Sequence, residues 1–224
     1  MGRPRLHDVN HDFFDELDSK SAYVYGFMCS DGYNMETRGL IRFHLSSVDT
    51  DILSKINEVM DSTYPLHHYI SKTSQKLVLL QMSSKKLSSR LADLGCVQKK
   101  SSVLEYPQWM PENLTSHFIR GIFDGDGSVN YFFRPQRQST PEFNFQILGT
   151  ESICRGIQLA IKAGTGISTG LHEVKNKNNV WIVTKASRRD ILSILSWLYE
   201  GDDGLFLHRK KEKYFEILEE NYDG

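Results

Sequence analysis

Asp31 and Asp126 are each followed by glycine, and the same order of residue types precedes both. Val24-Tyr25-Gly26-Phe27-Met28-Cys29-Ser30-Asp31-Gly32 and Ile119-Arg120-Gly121-Ile122-Phe123-Asp124-Gly125-Asp126-Gly127 align as apolar, any, Gly, apolar, apolar, any, small, Asp, Gly. The copies stand close to half the chain apart, so one supersecondary unit is used twice. Each copy reads as a helix ending on a carboxylate. Gly26 and Ser30 share one helix face, as do Gly121 and Gly125. Stripes so poor in side chain let two helices approach backbone to backbone. Asp31 and Asp126 would then lie side by side at two partly negative helix ends, where carboxylates need a neutralising cation. The residue types point to binding of a hard divalent ion by carboxylate oxygen. Gly32 and Gly127 are expected to be left-handed caps.

A single Gly-x-x-x-Gly is ordinarily helix packing, and Asp-Gly ordinarily a turn. Duplication at this spacing is what argues for function. Asp124-Gly125-Asp126-Gly127-Ser128 also hints at a calcium loop, but that loop needs Gly where Val129 stands and a carboxylate where Pro135 stands. The calcium reading fails.

The two segments resemble the signature motifs of the LAGLIDADG homing endonucleases, with residues 118–129 the closer match. The first copy departs at Cys29, which stands where the family's first acidic residue usually stands. The resemblance implies that Asp31 and Asp126 are the catalytic, metal-binding acids. Leu94-Gly95-Cys96-Val97-Gln98-Lys99-Lys100-Ser101 and Leu207-His208-Arg209-Lys210 are similar to the segments that end each half in family members. By that likeness Lys100 and Lys210 reach the active-site water network. His44 and Gln146 match strand positions that often carry a water-positioning group.

Length and composition agree with an intracellular globular protein. The 224 residues, 39% hydrophobic, can bury one substantial core or two small ones. Cys29, Cys96 and Cys154 show no paired spacing, which argues for a reducing compartment and against structural zinc. No apolar run approaches membrane-spanning length, and Met1-Gly2-Arg3-Pro4-Arg5 lacks a signal-peptide core. The expected location is cytoplasm or nucleoid in a bacterium or phage, or an organelle if organelle-encoded. The formal net charge of −1 is unusual for a nucleic-acid binder. Bases nevertheless cluster at Lys99-Lys100, Arg134 to Arg137, Lys175 to Lys177, Arg188-Arg189 and Arg209 to Lys213, so a neutral sum can hide a basic face.

These motifs need elements to hold them. Residues 37–46 alternate, with Thr37, Gly39, Ile41, Phe43 and Leu45 toward a core and Arg38, Leu40, Arg42, His44 and Ser46 outward. Asp49 is read as capping a helix to about Met60. Strands near 66–70 and 76–82 and a helix near 84–94 follow. The second half repeats this order: strands at 129–133 and 142–149, a helix at 150–162, strands near 168–174 and 180–185, a helix at 188–199 and a last one from about Arg209. In 142–149, Phe143, Phe145 and Ile147 face one way and Glu142, Asn144 and Gln146 the other. The fold class is α+β: two pseudo-symmetric α-β-β-α-β-β-α halves, each with a four-stranded antiparallel sheet, forming a DNA-binding saddle around the paired helices. The domain reading is an N-terminal arm at 1–19, a first half at 20–104, a linker at 105–111 and a second half at 112–224.

The expected activity is site-specific double-strand cleavage of DNA, with Mg²⁺ as cofactor, Mn²⁺ able to substitute and Ca²⁺ binding without cleavage. The expected partner is a long double-stranded DNA target, non-palindromic because the halves differ, bound by a monomer. Arg38, Arg42, Asn144, Gln146 and Arg134 are candidate base readers, with Arg137 and Lys175 as further DNA contacts. Gly2-Arg3-Pro4-Arg5 could be a minor-groove arm. Two rivals share the scaffold: an RNA maturase, which often loses the carboxylates, and a non-cleaving DNA-binding regulator, which usually adds a recognition domain.

Overall fold

The computed structural model describes residues 6–98, 100–134 and 137–219, the side chains of residues 101, 134 and 137–140 excepted. Helix α1, Ser19–Ser30, opens the first half. Asp18 caps it, accepting the Ser21 N–H at 2.8 Å while the Ser21 hydroxyl takes the Asp18 N–H in return. Every residue from Ser21 to Cys29 is buried, so this helix is apolar on all sides because protein surrounds it.

Strands β1, Gly32–Met35, and β2, Leu40–Ser46, follow, then α2, Thr50–Val59. Strands β3, Leu66–Ile70, and β4, Lys76–Ser83, and helix α3, Lys85–Asp93, complete the unit. The sheet order is β1-β2-β4-β3, antiparallel throughout. Ile41, Phe43, Val78, Leu80 and Met82 form its inner face and pack under Ile52, Leu53 and Ile56 of α2 and Leu87 and Leu91 of α3.

The second half starts at α4, Glu112–Asp126, and continues through β5, Gly127–Arg134, and β6, Arg137–Gly149. Helix α5, Glu151–Thr165, is capped by the Thr150 hydroxyl, which accepts the Ile153 N–H at 3.2 Å. Strands β7, Gly170–Glu173, and β8, Trp181–Lys185, and helices α6, Arg188–Tyr199, and α7, His208–Glu219, follow. The order β5-β6-β8-β7 repeats that of the first sheet. The expected α+β plan of two halves around paired helices is the observed one. Each signature helix stacks a phenylalanine on its own sheet: Phe27 on Phe43 at 5.9 Å and Phe123 on Phe145 at 5.2 Å.

Three local expectations fail for physical reasons. Residues 37–39 are not strand: Glu36–Arg38 is a 3-10 turn and Gly39 has φ +59°, which interrupts the extended alternation. Arg38 therefore sits on an exposed turn, off the sheet face. Gly32 and Gly127 are not left-handed; each begins a strand. Glycine is needed there because a Cβ would come within 2.6 Å of the Met28 Cα or 2.5 Å of the Phe123 carbonyl oxygen. Asp49 precedes α2 without a side-chain cap bond, its carboxylate being used elsewhere.

Part of the expected arm is folded. Val9, Phe13 and Phe14 are buried against the first half, and the Asn10 N–H donates to the Met60 carbonyl at 2.9 Å. Gly2-Arg3-Pro4-Arg5 lies outside the described residues. No helix among the described residues is long and apolar enough to cross a membrane.

Candidate active site at the paired helix ends

Helices α1 and α4 touch backbone to backbone. A Cβ on Gly26 would lie 2.0 Å from the Phe118 carbonyl oxygen, and one on Gly121 would lie 2.2 Å from that of Tyr23 and 2.6 Å from the Phe27 nitrogen. On Gly125 it would meet the Ser30 Oγ at 2.0 Å. The small-residue stripes are thus the crossing itself. Asp31 caps α1 and Asp126 ends α4. The Asp31 Oδ2 lies 3.3 Å from the position a Gly125 Cβ would take, next to Asp126 in sequence.

Both carboxylates reach solvent, yet protein surrounds them on the other sides. Burial raises the Asp31 pKa, against the pull of Lys210 and Lys100. Burial, and then the charge of Asp31, push Asp126 up to about 6, again opposed by Lys100 and Lys210. Acids whose ionisation is opposed by burial and by a neighbouring carboxylate are relieved by a cation. Among the described residues no three His, Cys, Asp or Glu side chains gather as a metal cage. The two carboxylates would leave most of a metal's shell to water and substrate oxygen, a division that suits Mg²⁺ better than a caged Ca²⁺ or a zinc site.

Lys100 and Lys210 are buried at these same helix ends. The Lys100 ammonium donates to the Gly32 carbonyl. That of Lys210 donates to the carbonyls of Phe123 at 2.5 Å, Asp124 at 2.7 Å and Gly127 at 2.6 Å, where α4 ends and β5 begins. Burial lowers the Lys210 pKa to about 8, with Asp124 opposing the shift.

His44 and Gln146 are not equivalent positions. Gly32 pairs with Phe43 and Gly127 with Ile147, so the counterpart of Gln146 is Arg42 and that of His44 is Leu148. Gln146 pairs with Ser128, one rung from the end of α4. His44 stacks on Tyr69 at 5.6 Å and hydrogen-bonds its hydroxyl.

Of the expected DNA contacts, Arg42 lies on the outer sheet face, its Nε and Nη2 donating to the Gln81 Oε1 at 3.2 and 2.9 Å. Asn144 faces outward on β6, paired with Asn130. Lys175 is exposed in the turn between β7 and β8. The side chains of Arg134 and Arg137, and all of Lys99, lie outside what is described.

Several residues around the site have no role in the motif reading. Arg120, an unassigned motif position, is fully buried and donates to the carbonyls of Leu205, Leu198 and Asp202 at 2.9, 2.8 and 3.2 Å. Asp124 accepts the Tyr23 hydroxyl and the Leu207 N–H on one oxygen, both at 2.8 Å, and burial pushes its pKa up to about 6. Arg209 joins the halves by pairing with Asp49, Nε to Oδ1 at 3.0 Å. The available signal was an arginine inside an otherwise apolar helix stretch, which needs buried acceptors somewhere.

The fold is that of LAGLIDADG homing endonucleases. I-GzeII in complex with its DNA target superposes with a TM-score of 0.60 at 12% identity, covering 91% of this chain and 89% of that one. I-SmaMI bound to uncleaved DNA target in the presence of calcium ions gives a TM-score of 0.59 at 11% identity, over 91% of this chain and 90% of that one. Full-length DUF199/WhiA from Thermatoga maritima gives 0.56 at 17% identity; 96% of this chain matches 66% of that protein. No protein-family model and no curated protein sequence matches the chain.

Proposed function

We propose that this protein is a site-specific DNA endonuclease of the homing type, cutting both strands of a long, non-palindromic target as a monomer. The observation that carries the reading is the meeting of Asp31 and Asp126 at the ends of two helices in backbone contact, with a buried lysine at each end. The DNA-bound states of I-GzeII and I-SmaMI support the choice of substrate.

Asp31 and Asp126 would hold divalent ions, best Mg²⁺, with Mn²⁺ as a substitute. The ion supplies activation of water and stabilisation of the leaving oxygen. Gln146, whose strand partner Ser128 is two residues beyond Asp126, would orient water at that end, and His44 would serve the first half from a different register position. All three Lys210 protons are committed to carbonyls, so it contributes fixed positive charge beside the developing negative charge rather than a mobile proton. The outer sheet faces, with Arg42 on one and Asn144 on the other, would follow the groove.

The test is cleavage of a random-sequence DNA library in Mg²⁺, Mn²⁺ and Ca²⁺ by the wild type and by Asp126→Asn. Wild-type double-strand cleavage in Mg²⁺ and Mn²⁺, binding alone in Ca²⁺, and binding without double-strand cleavage by the variant are expected. Double-strand cleavage by Asp126→Asn in Mg²⁺ would remove that carboxylate from the chemistry. Binding without cleavage by the wild type in every metal would favour the regulator reading, and intron RNA binding without DNA cleavage the maturase.

A further inference from the structure

We infer that Arg120 is the positioning residue of the second cleavage centre: it fixes the segment that delivers Lys210 to the end of α4, where the matching residue of the first half, Tyr25, makes a single bond. The inference rests on the endonuclease reading for its consequence and on geometry for its substance. The guanidinium of Arg120 grips three carbonyls, Leu198 in the last turn of α6 and Asp202 and Leu205 in the loop to α7. A planar guanidinium has its donors in a fixed fork, so three such bonds define where the loop runs. Its charged carbon lies 5.2 Å from the centre of the Tyr23 ring on α1. The Tyr23 hydroxyl in turn bonds Asp124, whose same oxygen takes the Leu207 N–H. The loop is thus tied to α4 at Leu198, Asp202, Leu205 and Leu207, and Lys210 follows within one helical turn.

Burying a guanidinium is expensive, and an apolar side chain of similar volume would serve packing alone. The first half takes that apolar option. At the matching motif position Tyr25 stacks on Phe118 at 5.2 Å and donates its hydroxyl to the single carbonyl of Leu94 at 2.5 Å. Cys29 stands where Asp124 would be, and the Lys100 ammonium meets one carbonyl among the described residues where Lys210 meets three. The two centres are therefore built to different tolerances, and disturbing Arg120 should harm one strand's cleavage more than the other's.

The experiment uses the full chain with a target labelled separately on each strand, comparing wild type, Arg120→Met and Arg120→Lys, with circular dichroism and Ca²⁺-supported binding as controls. A second readout is acetylation by an N-hydroxysuccinimide ester, followed by mass spectrometry at Lys210 and Lys100. Arg120→Met should lose cleavage of one strand by about tenfold or more, the scale of a small misplacement near the chemistry, with the other strand within about threefold. Arg120→Lys should fall between, and Lys210, but not Lys100, should become more reactive in both variants. Ethylguanidinium added to Arg120→Ala should restore the weakened strand. Equal loss on both strands, or unchanged Lys210 protection in Arg120→Lys, overturns the inference. Where Arg120→Met fails to fold, Arg120→Lys carries the test. If the wild type cuts no DNA, the endonuclease reading fails and Lys210 reactivity alone decides whether Arg120 positions it.

Discussion

The ends of α1 and α4 share one backbone geometry and differ in almost everything attached to it. At the crossing, Gly26 and Gly121 are interchangeable in role, each leaving space for the other helix's carbonyl. One step outward the halves diverge. The α4 end is ionic, with Arg120, Asp124 and Lys210 buried together and their bonds directed at the α6–α7 loop. The α1 end is nearly neutral, with Tyr25, Cys29 and Cys96 in its core and Lys100 the one buried cation there among the described residues. Only the crossing must be symmetric for two carboxylates to meet; the fittings around each can drift, because any buried polar set that satisfies its own partners is acceptable.

Breaking what the halves share should give the largest effect. Gly26→Ala and Gly121→Ala each force a methyl against backbone that cannot rotate away, so the helices must part. Overpacking usually costs about 1–3 kcal/mol, and contact with backbone belongs at or beyond the top of that range. Both variants should melt far below the wild type and lose DNA cleavage together. A thermal scan in which either one is as stable as the wild type would mean that the helices do not cross at these glycines.

What the halves do not share should appear in the pH dependence of stability. The folded-state pKa of Asp124 is about 6, against 3.8 for a free aspartate, so folding takes up a proton between those values. Its contribution is greatest below the unfolded value, falls as pH rises toward 6 and is constant above. Asp126 and Asp31 act in the same direction. Cys29, at the position matching Asp124, contributes nothing in this range because burial pushes its thiol upward. In metal-free buffer the melting temperature should therefore fall between about pH 4 and pH 6. Asp124→Asn should flatten that fall, whereas Cys29→Ser should leave it unchanged, and Mg²⁺ should reduce the part due to the site acids. An equal slope in wild type and Asp124→Asn would show that Asp124 is ionised normally and that the contrast between the helix ends is not electrostatic.

Much of this arrangement was legible because helix and strand periods are local properties. Gly26, Ser30, Gly121 and Gly125 announced the crossing, and alternation placed Phe43 and Phe145 inside with Arg42 and Gln146 outside, as the burial shows. Ser84 and Thr150 were readable as helix starts because a cap acts within one turn. Two of the failures involve partners far away in sequence. Arg120 finds its acceptors near residues 198–205, and Asp49 finds Arg209 instead of its own helix. The match of His44 with Gln146 failed because the two hairpins differ in length, and pairing register decides which residues correspond.

The smallest expected effect concerns the outer faces of the two sheets, which also differ in kind. Around Arg42 the first face has Gln81, Tyr33 and His44, with the Arg42 charge 5.8 Å over the Tyr33 ring. The second offers uncharged amides, Asn130, Asn144 and Gln146, on alternate rungs. Neither Arg42 nor Asn144 is in the core, so replacing either by Ala should move stability by no more than about 0.5 kcal/mol, the usual range for surface changes. Their effects on DNA should separate. Arg42→Ala removes a charge: if it contacts phosphate, binding weakens on all sequences and the salt slope drops by about one; if it contacts guanine, discrimination at one position relaxes by about 1–3 kcal/mol. Asn144→Ala removes no charge, so the salt slope should hold while preference at one base pair, most naturally an adenine, relaxes. Binding isotherms at several salt concentrations, on the target and on single-base variants, distinguish these outcomes. If both variants bind like the wild type on every sequence, the outer faces do not touch DNA, and the contrast between the halves ends at the helix pair.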